Sequence, residues 1–466
     1  MVKLFHTLFH KDVITTEQLN VVLGTIGGYV WGIPLLVLLV GTGLYLTIRI
    51  KFLSFRRLGM GFKLAFLKND KAISEGEGDI SNFQSLMTAL AATIGTGNII
   101  GVATAILAGG PGALFWMWVS ALVGMATKYS EAILAVRFRE VNPAGQMAGG
   151  PMYYIKNGMH NKWLAWIFAL LGSVAAFGIG NLVQVNAITV SLTHNFGMSN
   201  TASGICLMLI TGYVVLGGIK SIGKASGIIV PFMAVGYMAA GLYIIITNFS
   251  LVPQAFATVL GDAFTGQALA GGAVGSVIRF GVARGVFSNE AGLGSAPIAA
   301  AAAKTDMPGR QALVSMIGTF IDTIMVCSMT GLIIVMSGLW QTTTKAQGGT
   351  LTSRAFEQFL PGVGNGIVDF GILFFAFSTI LGWCYYGEKC CEYILGSKAV
   401  KPYRIVYSLA VFLGAVVELQ IVWNIADIFN GLMAIPNLIA LLALSSVIVS
   451  ETDLFEKKLD EEKNNK

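Results

Sequence analysis

The chain has 466 residues, 55% of them apolar and 12% charged, with a formal net charge of +6 and a mean hydropathy of +0.72. Soluble domains carry about 25% charged residues, so this composition excludes a water-solvated globule and makes lipid the solvent for most of the surface. Apolar stretches recur along nearly the whole length, which a soluble fold cannot use because its helices each keep a polar face. Barrel strands are excluded too. They alternate apolar and polar over about 10 residues, whereas Trp31 to Ile48 is almost continuously apolar and matches the ~20 residues a helix needs to cross a bilayer.

In chain order, the first twenty residues are mixed and charged, with no short apolar core before a small-residue cleavage site, so no cleaved leader is expected. Eleven apolar segments follow, at 20–48, 83–108, 113–136, 163–193, 200–218, 225–247, 271–303, 310–338, 364–393, 403–420 and 423–449. Two short amphipathic stretches, 253–263 and 350–361, are expected to lie flat at the surface. The last residues, ETDLFEKKLDEEKNNK, are dense in mixed charge and read as a solvated, partly disordered tail.

The basic residues set an orientation. With the N-terminus outside, inward loops hold Arg49, Lys51, Arg56, Arg57, Lys63, Lys68, Lys71, Arg137, Arg139, Lys304, Arg310 and Arg404 among others, and outward loops hold only Lys345 and Arg354. Cytoplasmic loops carry the excess of Lys and Arg, so the tail is expected in the cytoplasm. This placement explains the positive charge without a nucleic-acid partner. The four histidines (His6, His10, His160, His194) are scattered, and no HExxH, GxSxG or GxxxxGK[ST] pattern occurs, so nothing points to an enzyme or an ATP-driven pump. Five cysteines without ligand spacing read as small core residues.

The second segment carries Thr93-Ile-Gly-Thr-Gly-Asn98 at its centre. Glycine costs about 1 kcal/mol against alanine in a helix interior, so this stretch is poised to unwind. The seventh segment is similar, with Arg284, Gly285, Ser288, Asn289, Glu290, Gly292, Gly294 and Pro297. Close packing of small residues gives a similar composition. However, with the first segment set aside, the two interrupted segments open consecutive groups of five, 83–247 and 271–449. Five is odd, so the second group enters the membrane from the opposite side, and interrupted helices at matching places of inverted repeats point to a transporter site. The predicted organisation is an extra helix and basic loop (1–82), a first repeat (83–247), an external connector (248–270), a second repeat (271–449) and the tail (450–466). A channel would need a ring around an axis, which two such helices do not make.

Four motifs carry a family resemblance: WGIPLLVLLVGTGLYLTIR, AATIGTGNIIGVATAI, GGPMYYI and RGVFSNEAGLGSAPIAAAAAKT. Through them the chain resembles, essentially end to end, the alanine or glycine:cation symporters, a branch of the amino acid–polyamine–cation superfamily. The resemblance implies an all-α polytopic membrane protein of the plasma (inner) membrane, with the leucine-transporter-like inverted five-plus-five fold and one added N-terminal helix. It implies sodium, less often protons, as coupling ion, and alanine, glycine or in some members glutamine as substrate. No organic cofactor is implied, a monomer is sufficient, and the partners are the amino acid, sodium and the lipid bilayer.

Mapped onto this sequence, the resemblance implies that the N–H groups of Thr96 and Gly97 hold the substrate carboxylate, with Gly95 giving room. The ammonium goes to carbonyls of the seventh-segment break around Arg284, Gly285, Phe287 and Ser288, or to Thr379. Sodium takes carbonyls of Ala91 and Ile94 with the hydroxyls of Ser378 and Thr379, and Thr93 and Asn98 serve a second ion or the substrate. Thr379 and Trp383, four apart, share a helical face, so Trp383 is expected to wall the pocket. Asn181 and Gln184 reach the same cavity or bond between helices. Lys128 and Glu131 are expected to pair with each other, and Arg284 and Glu290 to form structural or gating pairs. Asp322, Asp369, Glu388, Glu418 and Asp427 receive no rank.

Overall fold

The computed structural model describes residues 16–67, 76–264, 273–344, 347–417 and 420–464. Lys68, Lys71, Lys345 and Glu418 lie outside them. Among the described residues the chain is helical apart from one two-stranded ribbon, Glu140–Val141 against Met147–Ala148, and two isolated bridges. Eight helices are long and apolar enough to cross a membrane, or nine if the pair bent by 52° across Thr93–Gly97 counts as one. Two of the eleven segments fall short of that measure. The fifth is the 16-residue helix Asn200–Val215, and the seventh is divided into Ala273–Asn289 and Pro297–Ala301. The amphipathic stretches form the helices Val252–Phe264 and Gly348–Phe359, each with one buried face.

Both breaks have local causes. In the second segment, Ser81 and Gln84 form a reciprocal capping box that starts the helix Asn82–Thr93. The helix ends where Ile94 turns extended (φ −78°, ψ 94°), and a π-turn over Gly97–Gly101 restarts it. In the seventh, Glu290, Gly292 and Gly294 all take positive φ (57°, 91° and 83°), a conformation glycine adopts freely and a glutamate does not. The fourth segment is interrupted more gently, by a π-turn over Gly178–Leu182 between Lys162–Phe177 and Val183–Phe196. The third segment, Ala113–Arg137, runs through the middle of the bundle with 83% of its apolar window buried, against 28% for the sixth, Gly218–Thr247. The sixth therefore turns Ile228, Phe232, Val235 and Ile246 outward, as a helix solvated by lipid does.

The tail departs from expectation. Instead of a disordered end, Ser445–Asn464 is a helix docked against the bundle. Ile448, Thr452, Phe455 and Leu459 are buried along one face, at the i, i+4, i+7, i+11 spacing of an amphipathic helix. Its acidic side meets the basic loops. Glu456 lies 3.2 Å from Arg56 and 3.3 Å from Arg57, Glu451 2.9 Å from Arg137, Asp453 3.6 Å from Lys51, and Glu462 pairs with the buried Arg310. The dense charge hid a four-residue apolar stripe, and the charges themselves are matched by partners distant in sequence. These contacts place the first loop, the end of the third segment, the start of the eighth and the tail at one end of the bundle, called here the basic side.

Two extended stretches close that side. Residues 76–80, leading into the second segment, pair with 302–305, leaving the seventh, through Asp79 N–H to Ala302 O (2.8 Å) and Lys304 N–H to Ile80 O (2.8 Å). Arg139 staples the pair, donating to the carbonyls of Ala301 (3.1 Å), Ala303 (2.8 Å) and Glu77 (2.8 Å). The basic-side ends of both broken segments are thus tied to each other. Phe455→Ala removes the largest apolar side chain of the docked tail, and large aromatic truncations in packed sites cost about 3–5 kcal/mol. The variant should melt lower in detergent and be cut by trypsin at Lys457 and Lys458 much faster than the wild type. A tail equally resistant in both would contradict docking.

Candidate functional site

Where the two broken segments cross, they meet the fourth and ninth around a small cavity lined by Ala92, Thr93, Gly95, Gly97, Ile179, Gln184, Phe287, Glu290, Thr379 and Trp383. The space open to the centre of a water is about 10 Å3, enough for roughly one water, so the site is closed around its centre. Seven of the residues expected to bind substrate line it, Thr93, Gly95, Gly97, Gln184, Phe287, Thr379 and Trp383, together with Glu290, which was expected to form a structural or gating pair. The others stand behind the wall. Thr96 points its N–H at Gln184 Oε1 (3.4 Å). Asn181 is held by Tyr407 O (2.8 Å), and Gly285 packs against Ser120 and Met117. Gln184 bridges two breaks, since its Nε2 also donates to Ile179 O (3.0 Å), a carbonyl of the π-turn.

Beside the cavity, four oxygens converge. The Thr379 hydroxyl lies 3.1 Å from Ala91 O and 3.4 Å from Ile94 O, and the Ser378 hydroxyl 3.2 Å from Ala91 O. Both hydroxyls also reach Phe375 O at 2.9 Å, the back-bonding expected of Ser and Thr in membrane helices. A hydroxyl that donates to a carbonyl keeps lone pairs, so rotation of two O–H bonds turns this cluster into an all-oxygen cage. Carbonyls at a half-helix end are the usual ligands of sodium in such folds.

Asn98 and Ser288 converge on Asp322, which the sequence left unranked. Asn98 donates to Asp322 Oδ1 (2.7 Å) and accepts from Gly95 N–H (2.9 Å). Ser288 donates to Asp322 Oδ2 (2.9 Å) and Thr323 to the same oxygen (2.7 Å). Both breaks are therefore fastened to one carboxylate of the eighth segment. A charge in a membrane interior is expensive, and three side-chain donors with no exposed surface are what holds this one.

Lys128 and Glu131, expected to pair within the third segment, both hydrogen-bond to the backbone of the seventh. Lys128 donates to Asn289 O (2.8 Å). Glu131 Oε1 accepts the N–H groups of Gly292 and Gly294 (3.1 Å each) and the amide of Asn437 (2.6 Å), whose oxygen receives the Tyr154 hydroxyl. No sequence signal distinguished these two from an ordinary i, i+3 pair. Toward the side opposite the basic loops, Phe287 separates the cavity from a second one of about 140 Å3 lined by Trp31, Arg279, Arg284 and Asp427. There Arg284 sits 3.5 Å from Asp427 and 5.2 Å from the Phe287 ring centroid.

Two interrupted helices crossing at a buried site define a secondary transporter of the leucine-transporter fold. Solved structures agree on the fold: MhsT in complex with L-phenylalanine (TM-score 0.52, 15% identity, 81% of this chain and 99% of that one) and an Eremococcus coleocola manganese transporter (TM-score 0.50, 16% identity, 82% and 83%). Residues 16–466 match the model of the sodium:alanine symporter family, and the chain belongs to that family. It is 56% identical to the sodium/alanine symporter AgcS of Methanococcus maripaludis, over 94% of this chain and 98% of the relative. It is 36% identical to the probable sodium/glutamine symporter GlnT of Bacillus subtilis, over 93% and 90%.

The two glycines of the second-segment break are not equivalent. A Cβ on Gly95 would lie 2.5 Å from Thr379 Oγ1, whereas one on Gly97 would meet Phe287 Cδ1 and Ser288 Cα at 3.4 Å, ordinary contact. Gly95→Ala should therefore lower uptake at least tenfold with normal membrane insertion, while Gly97→Ala retains most of it. Equal losses in the two variants, measured by initial rates in proteoliposomes, would contradict this geometry.

Proposed function

We propose that this protein is a sodium-coupled symporter that imports a small neutral amino acid, alanine or glycine, by alternating access. The observation that carries the reading is the convergence of Ala91 O, Ile94 O, Ser378 Oγ and Thr379 Oγ1 beside a cavity scaled to a very small side chain. Family membership and the named activity of the 56% identical relative support it. The narrow cavity favours alanine and glycine over glutamine.

In this mechanism sodium sits among those four oxygens and draws the ninth segment onto the broken second one. The carboxylate accepts from the Thr96 and Gly97 N–H groups, where the half-helix dipole is positive, displacing the long Thr96–Gln184 hydrogen bond. The ammonium goes to carbonyls of the seventh-segment break between Arg284 and Phe287 or to the Thr379 hydroxyl. Trp383 and Ile179 bound the side chain. Phe287, capped by the Arg284–Asp427 pair, is the outer gate, and the 76–80/302–305 pairing with Arg139 is the inner one. Opening one while the other stays tied gives alternating access.

The topology that goes with it has eleven crossings, the N-terminus outside and the docked tail helix in the cytoplasm, following the basic loops. Residues 83–247 and 271–449 form the inverted repeats in the plasma membrane. The test is uptake of labelled alanine, glycine and glutamine into proteoliposomes under an inward sodium gradient, a proton gradient or neither. Accumulation of alanine or glycine driven by sodium alone is expected. Ser378→Ala and Thr379→Ala should each raise the sodium concentration for half-maximal uptake about tenfold. Downhill equilibration indifferent to ions would overturn the coupling.

A further inference from the structure

We propose that Gly180, which does not touch the substrate cavity, is a specificity-determining positioning residue: its missing side chain lets Trp383 seat against the backbone of the fourth segment, and the depth of that seat sets the largest amino acid admitted. The inference rests on the reading of the cavity as the amino-acid site and adds what fixes its size.

The π-turn Gly178–Leu182 is held in place by side chains. Gln184 Nε2 takes the Ile179 carbonyl at 3.0 Å, and Asn181 Nδ2 bonds to Tyr407 O at 2.8 Å. A π-turn adds one residue to a helical turn, and here it sends Ile179 to the cavity wall while Gly180 faces the ninth segment. A Cβ on Gly180 would overlap Trp383 Cβ and Cγ and come within 3.0 Å of Cδ2. The indole is therefore already as far from the cavity as the fourth segment allows.

It has no other way to yield. Trp383 is 2% exposed, with the Tyr386 ring 5.6 Å from it at 67°. At the neighbouring position of the ninth segment, a Cβ on Gly382 would lie 2.8 Å from the Ala92 backbone nitrogen, so that helix is in close contact with the second segment as well as the fourth. A methyl group at position 180 must push either the indole or the whole ninth segment toward the second-segment break. Either movement takes space from a cavity of about 10 Å3. Packed interiors transmit displacements of this size rather than absorbing them. The side chains that distinguish alanine from glycine, or serine from alanine, differ by one small group, and a pocket discriminates one such group by about 10–200-fold.

The experiment measures KM and Vmax for glycine, alanine and serine in proteoliposomes containing wild type, Gly180→Ala, Trp383→Phe and the double variant. In G180A the ratio of alanine KM to glycine KM should rise about tenfold. W383F, with the seat intact and a smaller ring, should move the ratio the other way and admit serine. The double variant should return toward the wild-type ratio. A G180A protein that loses Vmax equally for glycine and alanine, with the KM ratio unchanged, would overturn the proposal and leave a packing role alone. Should G180A not reach the membrane, W383F decides: an unchanged ranking of the three amino acids would overturn the proposal. Wild-type protein that accumulates neither glycine nor alanine would sink the transport reading itself, an outcome distinct from an unchanged ratio.

Discussion

The structure depends on how backbone groups released by a broken helix are satisfied where no water is available. In lipid an unpaired N–H or C=O costs several kcal/mol, so a break at the centre of a bundle survives only if other helices supply partners. In the second segment the carbonyls of Ala91 and Ile94 receive the hydroxyls of Ser378 and Thr379, Gly95 N–H finds Asn98, and Thr96 N–H finds Gln184. The two hydroxyls and the Gln184 amide are side chains that can turn away, whereas Asn98 is held in place by Asp322. In the proposed mechanism these hydroxyls and the Gln184 amide are the groups that ion and amino acid replace, which would tie stability of the empty state to recognition of the loaded one.

The seventh segment solves the same problem with charge. Glu131 and Lys128 of the third segment bind its released backbone, and Asp322 gathers Asn98 and Ser288 from the two breaks. These are fixed anchors rather than exchangeable partners, because removing one member of a buried charged network leaves the rest unsatisfied. The result is a division of labour. A rigid set of carboxylates holds the two broken helices to one another, while neutral hydroxyls and amides on the fourth and ninth segments face the cavity. The ends differ as well. On the basic side the two broken segments are bonded backbone to backbone and stapled by Arg139. On the other side an aromatic ring and one partly exposed ion pair stand in the way.

Much of this was legible in the residues. Composition alone required helices in lipid, and glycines beside small polar residues located both breaks, because they recur at matching places of two consecutive groups of five segments, which close packing alone does not require. The oxygens of Ala91, Ile94, Ser378 and Thr379 were named from the family resemblance, and they lie side by side here. What escaped the sequence was set by distant partners. The apolar stripe Ile448, Thr452, Phe455 and Leu459 was hidden by the charges around it, and those charges read as solvated until Arg56, Arg57, Arg137 and Arg310 were seen to meet them. Asp322 had no local signature, since its importance lies in Asn98 and Ser288, over thirty residues away or more. The π-turn at Gly178–Leu182 had no signature that separated it from helix, because the residues its glycines pack against, Ala426 and Trp383, lie more than two hundred residues further along the chain.

In the proposed mechanism one rearrangement of the second-segment break serves both ion and substrate, so their binding must be linked. Linkage is reciprocal: if sodium tightens alanine by some factor, alanine tightens sodium by the same factor. The most direct measurement is calorimetric titration of purified protein with alanine at several fixed sodium concentrations, and with sodium at several fixed alanine concentrations. Equal factors are expected in the two titrations, each at least fivefold, with the sodium range shifted about tenfold upward in Thr379→Ala. Affinities for alanine that do not change with sodium would contradict the linkage.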